Sequence, residues 1–264
     1  MVSARPRFAA APEHRRIVRS LSAVAAPASS EFLRSYLGSP VPVRGVSTPR
    51  LRRVVAETVR RFSGASAAEW RVLVRSLWKG SHFEEKVVAI ELLGRKPLVD
   101  DPLAWPLAAR WVDDATGWAL SDSLASGPIS AQAAARPERF AELLQWTRSE
   151  NFWRRRASTY ALRQWVRSGE LDRPFQLLAR LLDDPERWVQ RAVGTWLREC
   201  WKKDPPRTER FLRREAARLA PVTVTVATER APNRFREELR RSSRARRNSR
   251  GRAGSGEHIR VQAA

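Results

Sequence analysis

"FWRRRASTYALRQW" (152–165) and "RWVQRAVGTWLREC" (187–200) align without a gap at a shift of 35 residues. Trp153 pairs with Trp188, Arg156 with Arg191, Ala157 with Ala192, Leu162 with Leu197 and Arg163 with Arg198. Another 35 residues back stands Trp118, and 35 before that Phe83, so a large aromatic recurs at 83, 118, 153 and 188. A fixed period of this length is the mark of a repeat architecture. Each aromatic falls near the start of a helical pattern, and segments such as 66–78, 103–111, 137–147 and 174–182 supply a second helix per copy. The period is close to tetratricopeptide and ankyrin lengths, but neither signature is present. The fold expected is all-α: a HEAT-like α-α superhelical solenoid of about six helix pairs with a concave basic face.

Start signals agree with that reading. Ser66 with Glu69, and Ser81 with Glu84, have the spacing of capping boxes. Thr48-Pro49, Asp101-Pro102 and Asp184-Pro185 place proline at a first helical position. The doublets Asp100-Asp101, Asp113-Asp114 and Asp183-Asp184 read as caps favoured by the helix dipole, not as catalytic pairs. One segment resists the scheme: "PVTVTVATE" (221–229) alternates like a strand. Beyond it the apolar periodicity fades, which divides the chain into a repeat domain at 1–229 and a disordered basic tail at 230–264.

The chain carries 50 Lys and Arg against 28 Asp and Glu, a formal net charge of +22. Residues 230–264 hold 11 Arg and 3 Glu, a net +8, which leaves +14 for residues 1–229. Such an excess predicts salt-dependent attraction to a polyanion, above all nucleic acid. No apolar run approaches the roughly 20 residues a membrane span needs, so no membrane partner is expected. The N-terminus has no uninterrupted apolar core of the signal-peptide kind. A lone cysteine, Cys200, and three histidines (His14, His82, His258) without ligand spacing leave no basis for a disulfide or a zinc site. Neither a metal nor a cofactor is expected. The setting expected is cytoplasmic, associated with the nucleoid, with the protein a monomer.

The repeat supplies its own reference for irregularity. Three residues past each aromatic stand Lys86, Ser121, Arg156 and Arg191; four past it stand Val87, Asp122, Ala157 and Ala192. Only the copy opened by Trp118 drops the cation and inserts a carboxylate, one helical turn from the ring. An ionised Asp at a packing position is costly unless paired or used. It either caps or pairs with a neighbour, or it serves chemistry. Lys86, Arg156 and Arg191 recur on equivalent faces, suited to following a phosphate backbone. Trp153 and Trp188 read as core, Trp118 as part of a site, and Arg154 and Arg155 as solvated charges.

"YLGSPVPVRGVSTPRLRRV" (36–54), "GWALSDSLAS" (117–126), "NFWRRRASTYAL" (151–162) and "RAVGTWLREC" (191–200) occur in the order seen in the AlkD-like DNA alkylation repair family. The chain resembles that family from about residue 12 to 220. The resemblance implies a HEAT-like glycosylase acting on double-stranded DNA that carries positively charged alkylpurines, N7-alkylguanine and N3-alkyladenine, without metal or cofactor and without full base flipping. By position, Asp122 matches the family's catalytic carboxylate and Trp118 the aromatic beside it. Arg156 matches an arginine that holds phosphate near the lesion, and Arg198 a further basic residue of the groove. A second active-site tryptophan is often found directly after the glycine of Gly-Trp-x-Leu-Arg-Glu; here that slot is Thr195, with Trp196 next to it. Thr195 and Trp196 are therefore the residues expected to line the pocket. The alternative is a non-catalytic HEAT-repeat protein that binds damaged or branched DNA; a HEAT-type protein scaffold is a further rival, disfavoured by the charge.

Overall fold

The computed structural model describes residues 8–26, 30–115 and 117–245, and every regular element among them is helical. Two compact units divide the chain, Met1–Pro137 and Glu138–Ala264. The first holds α1 (Ala10–Ala23), α2 (Ser30–Leu37), α3 (Thr48–Arg61), α4 (Ala67–Trp78), α5 (Phe83–Leu93), α6 (Ala104–Asp114), α7 (Trp118–Leu124) and α8 (Ser130–Ala135). The second holds α9 (Phe140–Trp146), α10 (Phe152–Tyr160), α11 (Arg163–Ser168), α12 (Asp172–Ala179), α13 (Arg187–Lys203), α14 (Pro205–Arg214) and α15 (Pro221–Ala227), followed by α16 at 233–245.

The 35-residue period sets where helices begin. Phe83 and Trp118 open α5 and α7, and Trp153 and Trp188 are the second residues of α10 and α13. The Ser66 box forms as expected: the Ser66 hydroxyl accepts the Glu69 N–H, and a Glu69 carboxylate oxygen accepts the Ser66 N–H at 2.8 Å. Behind that cap, Trp70, Leu73, Val74, Leu77 and Trp78 bury one face of α4, the spacing of an amphipathic helix. That face packs on α1 and α5, and Trp78 stacks on Trp111 of α6 at 4.5 Å.

Several expected caps do other work. The Glu84 carboxylate is buried and accepts the N–H groups of Arg44, Gly45 and Val46 at 2.9–3.2 Å, so it fastens the loop before α3 rather than closing a box on Ser81. Its neighbour Glu85, also buried, takes His14 at 2.8 Å and Arg44 at 3.2 Å. Burial alone would raise the Glu85 pKa, but the hydrogen bonds from His14 and Arg44 hold it below the usual carboxylate range. Asp101 and Asp184 each accept a backbone N–H two residues on, and each also binds an arginine of another helix, Arg71 and Arg155. Asp113 and Asp114 end α6 instead of preceding a helix.

The strand-like 221–229 is helical. Thr223, Val224 and Ala227 form the buried face of α15, and Thr223 donates to the Gln190 carbonyl of α13 at 3.1 Å. Gly194 of α13 lies against this helix so closely that an added Cβ would meet Val226 Cβ at 2.8 Å and the Thr223 carbonyl oxygen at 3.0 Å. Packing against a glycine gap overrides the β-preference of Val and Thr. The tail expected from residue 230 also starts later. Phe235 stacks on Trp201 at 5.3 Å, Leu239 is buried, and Ser243 donates to the Leu219 carbonyl at 2.9 Å, so 233–245 is a packed helix. Residues 246–264 lie outside the described residues.

Candidate functional site

The first unit positions Asp122 through α7. This helix starts at a backbone junction: Gly117 has φ +82° and Gly38, at the end of α2, has φ +61°, and a Cβ on Gly117 would collide with the Gly38 carbonyl. The close approach brings α2 onto the Trp118 indole. Trp118 Nε1 donates to the Tyr36 carbonyl at 2.9 Å, and the Tyr36 ring meets Trp118 edge-on at 5.5 Å. Phe32 stacks on Tyr36 in turn, yet α2 buries none of its side chains, and Phe32 and Tyr36 stay 72% and 60% exposed.

Asp122 lies one turn on from Trp118 and is 8% exposed; Ser121 beside it is fully buried. Past Asp122 the helix widens into a π-turn at Ala125–Ile129, where Gly127 leaves helical geometry and Pro128 has no N–H to give. The Ser126 hydroxyl takes up the Asp122 carbonyl at 2.6 Å. The sequence places Trp118 and Asp122 correctly on one helix. It gave no role to Tyr36, because that residue reaches Trp118 only through the Gly38–Gly117 contact; the pair of glycines was the available signal.

Lys86, in the same unit, is tied elsewhere. Its ammonium donates to the Trp78 carbonyl and lies 5.2 Å from the Trp78 ring centre. Burial lowers its pKa, with Glu85 and Asp114 opposing. A lysine so held is an anchor for α4 and α5 more than an open phosphate contact.

The second unit holds the remaining residues. Arg156 of α10 is only 5% exposed. Its Nη1 donates to the Trp188 carbonyl at 2.6 Å and its Nη2 to the Tyr160 hydroxyl at 3.1 Å, with the guanidinium 5.0 Å and 5.8 Å from the rings of Tyr160 and Trp188. Asn151 caps α10 by accepting the Trp153 N–H at 2.9 Å. Arg155, expected in solvent, instead binds the buried Asp184 at 2.6 Å. Trp153 is half-buried, and Trp188, expected in the core, is 45% exposed. The two rings lie 6.1 Å apart.

Along α13, Arg191 is exposed and Thr195 half-buried, with the Thr195 hydroxyl bonded to the Arg191 carbonyl at 3.0 Å. Trp196 turns inward: it is 6% exposed and meets Tyr160 edge-on at 5.6 Å, about 100° around the helix from Thr195. Arg198 pairs with Glu229 and with Glu199 at 3.4 Å, and its hydrogen bond holds the Glu229 carboxyl below the usual range. Cys200 is buried, which pushes its thiol up to about 12 and leaves it unreactive. Among the described residues no three His, Cys, Asp or Glu side chains gather as a metal would require, and no helix is long and apolar enough to cross a membrane.

A sequence model of the family described as DNA alkylation repair enzyme matches residues 17–231. No curated protein matches the chain significantly. A predicted DNA alkylation repair enzyme from Enterococcus faecalis superimposes with a TM-score of 0.69 at 15% identity, covering 79% of this chain and 97% of that one. AlkD2 from Streptococcus mutans gives 0.63 at 15% identity, covering 84% and 98%. The protein smu.31 from Streptococcus mutans UA159 gives 0.59 at 17% identity, covering 82% and 98%. At these identities the likeness speaks for the fold, an all-α solenoid.

Proposed function

The chain belongs to the DNA alkylation repair enzyme family, and from that premise we propose that it is a DNA glycosylase that hydrolyses the N-glycosidic bond of positively charged alkylpurines in duplex DNA. Membership itself implies a role in alkylation repair and a DNA partner. The observation that carries the finer reading is Asp122, a carboxylate 8% exposed on the helix that Trp118 opens.

The chemistry suits one carboxylate. Alkylation at N7 of guanine or N3 of adenine makes the base cationic, so it departs with the electron pair of the C1′–N bond and needs no general acid. The barrier lies in the positive charge that grows on the deoxyribose. A fixed carboxylate stabilises that charge, and more strongly away from bulk water. Asp122 fills this role and orients the water that adds to C1′, whose surplus proton passes to bulk solvent. Trp118, fixed by its bond to the Tyr36 carbonyl, offers a π face to the same cation. The exposed rings of Phe32 and Tyr36 continue that aromatic surface. In the second unit, exposed Arg191 is the phosphate contact, while Arg156 and Arg198 act from within their hydrogen-bonded settings.

One observation favours a second reading, a protein that binds damaged DNA without cleaving it: Thr195 puts a hydroxyl, engaged with its own helix, in a slot where an aromatic wall is expected. The purified protein incubated with methylated duplex DNA separates the two. Release of 7-methylguanine or 3-methyladenine supports the glycosylase; tight binding with no released base selects the binding protein.

A further inference from the structure

We propose that the exposed face of α13 is a binding site for a single nucleobase displaced from the duplex stack, with Trp188 as the stacking platform. The proposal rests on the reading that the partner is DNA and adds where an unpaired base goes.

The face is defined by helix geometry. Trp188, Arg191, Thr195, Arg198 and Lys202 recur every three or four residues and fall within about 80° of arc over about 21 Å of helix. The opposite side carries the buried Val189, Val193, Leu197 and Cys200, with buried Ala192 at the edge of the exposed arc. Trp188 is the one tryptophan among the exposed large apolar side chains of the described residues. An indole left nearly half open is unusual in a unit that buries Trp146, Trp165, Trp196 and Trp201.

The ring is also held in place. Arg156 binds its backbone carbonyl at 2.6 Å and rests 5.8 Å from its ring centre, and Trp153 supports it at 6.1 Å. The start of α13 is clamped as well, since Gln190 donates to the Asp184 carbonyl at 2.7 Å and Asp184 accepts the Glu186 N–H. A rigid aromatic loses little freedom when a ligand stacks on it.

The surroundings choose the ligand. Arg187 and Arg191 are exposed on either side of Trp188 in the sequence; of the carboxylates, half-buried Glu186 occupies the N-cap position at the helix start, and Glu199 farther along the helix is already paired with Arg198 and Lys202. A half-open π surface with exposed Arg187 and Arg191 beside it suits a base with its flanking phosphates. A protein partner would call for a wide apolar patch, and here the half-buried Trp153 and Phe152 continue the ring only locally before the charged side chains of α13 take over.

The test uses the full chain and unmodified DNA: a paired duplex and the same duplex with one unpaired purine. Wild type is expected to bind the second about 5- to 100-fold more tightly, the preference that one base–aromatic stack supplies. Trp188→Ala should weaken binding to it by about 5- to 100-fold, the span of one base–aromatic stack, and change binding to the paired duplex less than about twofold. Trp188→Phe should retain most of the preference. A wild type indifferent to the unpaired base overturns the proposal. So does a Trp188→Ala that weakens both duplexes alike while Trp188→Phe keeps no preference, which would assign the ring to packing or to a protein surface. Because no alkylated base is involved, base release by a wild type with no such preference would leave the glycosylase standing. The preference without any base release would do the reverse.

Discussion

At position 122 the repeat register and the chemistry disagree. Ala157 and Ala192, at the equivalent places in later copies, are fully buried, and Asp122 is nearly so. A carboxylate in such a setting has to be held by its surroundings, and Asn preserves its shape while removing its charge. Asp122→Asn is therefore expected to lower single-turnover release of an alkylated purine by about 100- to 1,000-fold, the scale of losing one aligned electrostatic group, with DNA affinity changed little. Equal loss of affinity and rate would show instead that the residue shapes the fold. Trp118 and Asp122 were legible because a 35-residue period and a 3.6-residue turn fix both positions. Arg156 was legible as a cation in register, but its partners were not: the Trp188 carbonyl is thirty-two residues away and the Tyr160 hydroxyl lies on its own helix. The same blindness put Trp188 in the core and Arg155 in solvent, since a period says which residues share a face and not which faces meet.

Among the elements, α15 shows what an alternating pattern leaves open. Val and Thr at every second position satisfy a strand, but Thr223, Val224 and Ala227 also make a short helical stripe once a flat partner is present. Gly194 makes that partner flat, and its place inside α13 was the one sign of it in the sequence. The expected effect of Gly194→Ala follows. Glycine to alanine inside a helix ordinarily stabilises by about 0.5–1 kcal/mol. Here the new Cβ would press on Val226 and on the Thr223 backbone at 2.8–3.0 Å, an overpacking that costs about 1–3 kcal/mol. The variant should unfold at a lower urea concentration than wild type, and a midpoint raised by the substitution would contradict the close α13–α15 packing. Helix α16 was missed for a related reason. Its apolar residues Phe235 and Leu239 are only one turn apart among arginines and glutamates, too few for a periodic signal, and their burial depends on Trp201 and on the preceding turn.

For the molecule as a whole, composition predicts a strong response to ions, and the structure separates two kinds of response. The +22 net charge acts at long range. Raising salt from about 50 to 200 mM should weaken binding to plain duplex DNA by about 1,000-fold or more if six or more phosphates are neutralised, visible as a linear fall of log affinity with log salt. A protein scaffold would show almost no slope. Glu85 acts at short range, buried with His14 and Arg44 around it. Its pKa is lower folded than unfolded, so its contribution to stability is fully present above the unfolded value of about 4.3 and disappears as pH falls through the folded value. Acid also removes negative charge everywhere, and the growing positive excess drives unfolding by repulsion. Salt tells the two apart, because it screens exposed charges within about 10 Å at 0.1 M but hardly reaches a buried pair. Urea midpoints measured from pH 7 to pH 3 should therefore fall steeply below about pH 4.5, and added salt should restore only part of the loss. In Glu85→Gln the midpoint should start lower at pH 7, with Arg44 left facing a neutral amide, and then fall less steeply with acid. A variant whose acid limb runs parallel to that of wild type would mean that general repulsion, not the Glu85 network, governs how this protein fails at low pH.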